Sequence, residues 1–440
     1  MNGAAARTSP ITHRRILAVA GPIVLSNVTV PILGVVDTGV IGQLGQAAPI
    51  GAVGIGAVVL STFYWLFGFL RMGTAGLTAQ AYGAGRAGEV SAMLTRALLI
   101  AATAGLALIV LQVPLFWSAF KAAPASAEVE RMARDYLAIR IWGAPFAIAI
   151  FAFTGWLIAL ERAKSVLVLQ VAMNGVNLVL DFWFVLGLGW GIEGVAVASL
   201  IAELGGAVLA LWLCRDVFAN AAWRDRARVL DAMTLKRMAV VNSDILIRSL
   251  MLTAIFTSFM FFGARFSDVE LAANQILLQF LNVAAYAMDG FAFGAETFVG
   301  QALGARNKAG LRRAAIMSSQ WGAGISGVLA LGFLLFGGMA IDLMTTAEDV
   351  RAMARVFLVY MVLAPLVGWP SWMLDGIFIG ATRTADMRNM MVVSTVIYIV
   401  AVLTLMPLFG NHGLWLALLI SFIARGVTLG LRYPALEAAV

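Results

Sequence analysis

The 440-residue chain contains one cysteine, two histidines and few charges. A lone Cys214 closes no internal disulfide and builds no cysteine-rich metal site. His13 and His412 stand near opposite ends of the sequence and read as residues at span ends, so no metal centre is expected. Charged residues make up only 12% of the chain, about half the usual share, which is too little for an ordinary soluble domain. No Gly-x-x-x-x-Gly-Lys-Ser/Thr stretch occurs, so an ATP-driven pump would have nothing to cradle phosphates. Clustered histidines and paired carboxylates at one interface are also missing. A membrane-embedded enzyme, such as a lipid-modifying transferase, is therefore not expected, and neither is a catalytic residue or a cofactor.

What is abundant is apolar sequence. Hydrophobic residues make up 62% of the chain and the mean hydropathy is +0.93. At roughly 20 apolar residues per crossing plus a connection, the length allows about a dozen spans. The first apolar run is too long for a secretory signal, and Met1 to Arg15 is short and small-residue-rich, so no cleaved leader is expected. Clusters of glycine, proline and charge divide the sequence into twelve stretches: 15–41, 50–72, 90–117, 132–158, 165–187, 191–214, 238–263, 270–293, 311–337, 352–380, 387–408 and 411–431. The one sizeable polar connection, 219–237, divides six spans from six.

The net charge of +7 implies no nucleic-acid partner, because basic loops orient membrane spans. The termini and the loops after even-numbered spans hold 21 of the 30 lysines and arginines, the loops after odd-numbered spans six, and Arg71, Arg140 and Arg248 fall within spans. This bias places both termini and the central loop in the cytoplasm of a bacterial inner membrane.

The halves repeat. Met72-Gly-Thr-Ala-Gly-Leu-Thr-Ala-Gln80-Ala-Tyr-Gly83 aligns with Phe293-Gly-Ala-Glu-Thr-Phe-Val-Gly-Gln301-Ala-Leu-Gly304 at an offset of 221, and Ile158-Ala-Leu-Glu-Arg162 aligns with Ile379-Gly-Ala-Thr-Arg383. Six spans is an even number, so both halves insert with the same orientation. The expected fold is an all-α polytopic membrane protein of 12 helices. Its two six-helix lobes, residues 1–218 and 238–440, are joined by the 219–237 loop and related by a pseudo-twofold axis along the membrane normal, with a cavity between them.

Several segments resemble the multidrug and toxic compound extrusion (MATE) family, in its DNA-damage-inducible F (DinF) branch. They are Val36-Asp37-Thr38, Asn242-Ser-Asp-Ile-Leu-Ile-Arg248-Ser, Tyr286-Ala-Met-Asp-Gly-Phe-Ala-Phe-Gly-Ala-Glu296 and Asp375-Gly-Ile-Phe-Ile-Gly-Ala-Thr-Arg383. The resemblance implies a secondary active multidrug exporter of amphipathic or cationic organic compounds, driven by a proton or sodium gradient. It also implies that the span-1 and span-5 aspartates line a pocket in the N-terminal lobe, with Tyr136, Asn177 and Ser199 at matching positions. The expected partners are small organic substrates and membrane lipids, and the expected state is a monomer. Two alternatives stay open: a flippase for lipids or lipid-linked carriers from the same superfamily, and a major-facilitator-type transporter, whose usual loop signature fits poorly at Tyr82 to Glu89.

A carboxylate at membrane depth is costly and usually faces a cavity or a partner. Asp37 lies 22 residues past Arg15 and Asp181 17 past Lys164, so about 33 and 26 Å along straight helices, to comparable depth once Pro22 and Pro31 bend the first. Asn174 and Asn177 share the helix face of Asp181. Asp37 and Asp181 are the expected coupling-ion site; the ion is a proton, or sodium, which nearby Asn and Ser oxygens could also serve. Arg71, Arg248, Asp289 and Glu296 are expected near the cytoplasmic side as a gate, Asp289 and Glu296 being seven apart on one face. Asp244 and Arg248 are spaced to neutralise each other on one helix. Glu203 and Asp375 complete the intramembrane acids and rank second.

Overall fold

The computed structural model describes residues 10–42, 47–122 and 125–440; for residues 28, 30–38, 42, 47 and 122 it describes the backbone alone. Helix dominates, as hydrocarbon demands, because only a helix pairs its own backbone polar groups within one segment. The helices are α1 His13–Gly42, α2 Ala47–Leu66, α3 Gly68–Gly83, α4 Ala87–Val110, α5 Gln112–Ala122, α6 Ala127–Arg140, α7 Ala144–Ala159, α8 Ala163–Asp181 and α9 Gly191–Leu213. After a single turn at Arg226–Val229 follow α10 Ala232–Gly263, α11 Asp268–Gly304, α12 Lys308–Met344, α13 Glu348–Gly380, α14 Thr384–Phe409 and α15 Asn411–Glu437. Among the described residues, eleven helical stretches are long and apolar enough to cross a membrane. With the 30-residue α1 ahead of them, they reproduce the twelve expected spans.

Helices outrun their apolar stretches because helical hydrogen bonding does not stop at the hydrocarbon boundary. The 37-residue α11 extends well past 270–293. It opens with a capping box, in which Ser267 accepts from the Glu270 N–H and Glu270 reaches back to the Ser267 N–H.

The 221-residue repeat reappears in backbone geometry. Left-handed turns fall at Gly85 (φ 70) and Arg306 (φ 53), and again at Glu161 (φ 59) and Thr382 (φ 51), 221 residues apart in each case. The Arg162 N–H donates to Leu157 O at 2.9 Å and the Arg383 N–H to Phe378 O at 3.0 Å, closing equivalent helix ends. Gly155 and Gly376 are also equivalents. A Cβ on Gly155 would fall 2.3 Å from the carbonyl oxygen of Arg71, and one on Gly376 2.3 Å from that of Ala292, the residue aligned with Arg71. In both halves a glycine lets two backbones touch at the same place.

By contact density the chain forms two compact units. The first comprises Leu25–Thr78 and Arg86–Met238; the second comprises Met1–Val24, Ala79–Gly85 and Ala239–Val440. The core of the first includes Ile41, Leu70, Ala97, Leu137, Ile148 and Val195. The second packs around Phe259, Leu277, Met361, Tyr398, Trp415 and Phe422. The 219–237 connection is docked on the first unit. Arg96, 1% exposed, donates to Val229 O at 3.0 Å and pairs with Glu89, and Thr95 donates to Trp223 O at 2.9 Å.

Candidate functional site

In the first unit the polar stripe of α8 finds its partners on two other helices. Asn174 Nδ2 donates to Thr29 Oγ1 at 2.9 Å, tying α8 to α1. Asn177 Nδ2 donates to Ser199 Oγ on α9 at 3.2 Å, while Asn177 Oδ1 is buried without a hydrogen-bond partner. Asp181 follows one turn later and is fully buried. There α8 ends and the chain widens into a π-helical turn, Phe182–Gly187, with the Leu188 N–H donating to Trp183 O at 2.9 Å. Such turns occur often where a helix must re-aim a functional side chain. Phe184 and Trp190 stack at 4.9 Å just beyond it.

The other expected coupling residue, Asp37, lies on α1 with its side chain outside the described residues, as does that of Pro31. Pro22 is also on α1, partly buried, in the segment belonging to the second unit.

A second cluster stands next to the first. Tyr136 on α6 is 2% exposed and packs where Gly56 leaves room on α2; a Cβ there would fall 2.5 Å from its ring. One turn on, Arg140 Nη1 meets Glu203 Oε1 at 2.9 Å, and Tyr64 Oη donates to the Arg140 carbonyl at 3.3 Å. Glu203 lies one turn beyond Ser199 on α9. The sequence marks both charges but does not pair them. The signal for doing so was the rule that an intramembrane charge needs a counter-charge.

The second unit treats its acids differently. Arg248 binds Asp375, and Arg425 Nη2 stands 3.9 Å from the same Asp375 Oδ2 while donating to Ser371 Oγ at 2.8 Å. Asp244 takes Arg388 Nη1 at 2.5 Å and Thr384 Oγ1 at 2.9 Å. This corrects the Asp244–Arg248 pairing: α13, α14 and α15 bring partners from other helices, and the two neighbours on α10 turn to different ones. Arg425, counted by charge position with the cytoplasmic basic residues, is 3% exposed inside α15. Asp289 is partly buried and Glu296 fully buried on α11; both belong with Arg248 to the second unit, whereas Arg71, 8% exposed, belongs to the first.

The MatE family model matches the chain twice, over residues 22–183 and 245–404, one match in each half of the repeat. The chain is 38% identical to DNA damage-inducible protein F of Escherichia coli over 93% of its length and 89% of that protein. It is 28% identical to a probable multidrug resistance protein NorM of Bradyrhizobium diazoefficiens, covering 73% of this chain and 72% of that one. Among solved structures, a MATE crystal structure in the bent conformation superposes with a TM-score of 0.90 at 18% identity, over 100% of this chain and 99% of that one. A MOP superfamily transporter from Pyrococcus furiosus gives a TM-score of 0.83 at 18% identity, again over 100% and 99% of the chains. Likeness at that identity establishes the fold, and the two family matches with the 38% relative establish the rest: the chain belongs to the MatE family of transporters.

Proposed function

We propose that this chain is a secondary active exporter of amphipathic, cationic organic compounds, driven by protons that enter and leave through Asp37 and Asp181. The observation that carries the reading is the hydrogen bond between Asn174 and Thr29. Spans 1 and 5 are both odd-numbered and run in one direction. Thr29 lies eight residues before Asp37 and Asn174 seven before Asp181, so the two aspartate positions fall about 12 and 11 Å beyond a shared contact. Two carboxyls brought close resist joint ionisation, so one keeps a proton near neutral pH. The buried Asn177 Oδ1, one turn from Asp181, offers an acceptor to a protonated carboxyl. Protonation rearranges hydrogen bonds along α1, where Pro22 and Pro31 remove backbone donors and make bending easier. The gradient acts through two conformations of unequal proton affinity.

The flippase alternative is weakened by the arginines it would need: Arg140 pairs with Glu203 and Arg248 with Asp375. We place the protein as a monomer in a bacterial inner membrane with both termini cytoplasmic, on the charge bias of its loops.

Efflux of a fluorescent organic cation from proteoliposomes, with pH and sodium gradients imposed separately, tests the reading. A pH gradient alone should drive export. Export that needs sodium and ignores pH would reassign the ion, and export that needs neither would overturn the mechanism.

A further inference from the structure

Resting on that reading, we infer that Arg140 and Glu203 are positioning residues for the ion site: their ion pair holds α9 in the register that keeps Ser199 on Asn177, and so sets the pH at which the transporter works. Neither residue belongs to the expected site, yet both stand one helical turn from it. Glu203 follows Ser199 by four residues on α9, and Arg140 follows Tyr136 by four on α6. The Arg140–Glu203 contact of 2.9 Å therefore fixes α9 to α6 just beside the point where the 3.2 Å Asn177–Ser199 bond fixes α9 to α8.

Glu203 has little freedom. Gly143, in the turn between α6 and α7, makes room for it; a Cβ there would fall 1.9 Å from Glu203 Oε2. That oxygen is buried without a hydrogen-bond partner, so the pair rests on one charged contact rather than a bidentate fork. Two further titratable groups act on the pair, Tyr64 from α2 and Tyr136 from α6. Around Asp181 the chain places Asn177 on its own helix, Ser199 on α9, and α1 with Asp37.

The consequence for pH has a definite sign. While Ser199 accepts the Asn177 N–H, that donor is withheld from Asp181. If α9 slips, the amide is freed to donate to the Asp181 carboxylate, and a hydrogen bond to the charged form favours it. The carboxyl then takes a proton only at lower pH. Breaking the ion pair should move the pH dependence of efflux toward acid.

The test must separate position from charge. Glu203→Gln alone leaves Arg140 uncompensated, and that charge pushes the profile the same way. The informative protein is the uncharged double variant Arg140→Met/Glu203→Leu, since an apolar pair of similar volume commonly replaces a buried ion pair without loss of folding. Proteoliposome efflux measured across pH should show its half-maximal point moved to lower pH by at least about half a unit. Ser199→Ala should give a similar shift, and the triple variant should add nothing, because both changes act through one bond. A wild-type profile in the double variant overturns the inference, as do a shift toward alkaline pH and shifts that add in the triple. Failure here remains distinct from failure of the proposed function. If Asp181→Asn abolishes efflux while the double variant keeps the wild-type profile, only the positioning role falls.

Discussion

The two units of this transporter bury their acids in opposite company. In the second, Asp375 lies between Arg248 and Arg425, and Asp244 is held by Arg388 and Thr384. In the first, Asp181 stands at a helix end beside an amide and a hydroxyl, Asn177 and Ser199. A carboxylate matched by guanidinium keeps its charge, because releasing it would strand a buried cation. A carboxylate among neutral dipoles can take up and release a proton without leaving a partner uncompensated. The repeat therefore does not duplicate function. It duplicates turns and helix contacts, and the polar side chains divide the labour.

The sharpest way to break this contrast is to neutralise one acid on each side. Asp37→Asn and Asp181→Asn should each reduce gradient-driven efflux to the level of empty vesicles, with the protein inserted at normal amounts. Efflux retained with wild-type pH dependence in either variant would remove the functional half of the comparison. Asp375→Asn should instead act on folding. It leaves two buried arginines short of a counter-charge and should cost about 3 kcal/mol of stability, read as a lowered melting midpoint in detergent. The protein that survives should keep the wild-type pH profile. If Asp375→Asn flattens that profile without loss of stability, the roles of the two units are reversed.

Much of this was open to reading in the sequence, and the limit has a physical cause. Twelve spans and their repeat were legible because hydrocarbon permits little but long apolar helices and because the 221-residue offset is written in shared motifs. Asn174, Asn177 and Asp181 could be placed on one face because spacing along a single helix fixes direction. Partners across helices could not be read that way. Spacing suggested Asp244 with Arg248, whereas packing gives Asp244 to Arg388 and Arg248 to Asp375. Thr29 and the Arg140–Glu203 pair were missed for the same reason, and Arg425 because a residue near a terminus looks cytoplasmic by position. The π-helical turn after Asp181 has no sequence signature at all.

If the units share a scaffold while differing in chemistry, damage to the scaffold should cost both alike. Gly155→Ala and Gly376→Ala each drive a methyl group to within 2.3 Å of a backbone carbonyl oxygen on the facing helix. Each should destabilise by about 2 kcal/mol through overpacking. Thermal melts of the two variants should move by similar amounts. A large effect in one half with none in the other would show that the glycine contacts are not structural equivalents.

The smallest expected effect sits at the turn pair Gly85 and Arg306, where one backbone conformation is met by two residue types. Both hold positive φ, 70° and 53°, 221 residues apart. A side chain in this left-handed region crowds the following carbonyl and costs about 1 kcal/mol, whereas glycine pays nothing for the geometry. Gly85→Ala should therefore destabilise by about 1 kcal/mol. Arg306→Gly should stabilise, though by less, because glycine also gains freedom in the unfolded chain. Neither should alter the pH dependence of efflux, since both lie outside the Asn177–Ser199–Asp181 cluster. Opposite signs in a paired melt would confirm that the turns are copies carrying different residues. Equal destabilisation by both substitutions would mean that the Arg306 side chain contributes more than its backbone strain costs, and the equivalence would then stop at the backbone.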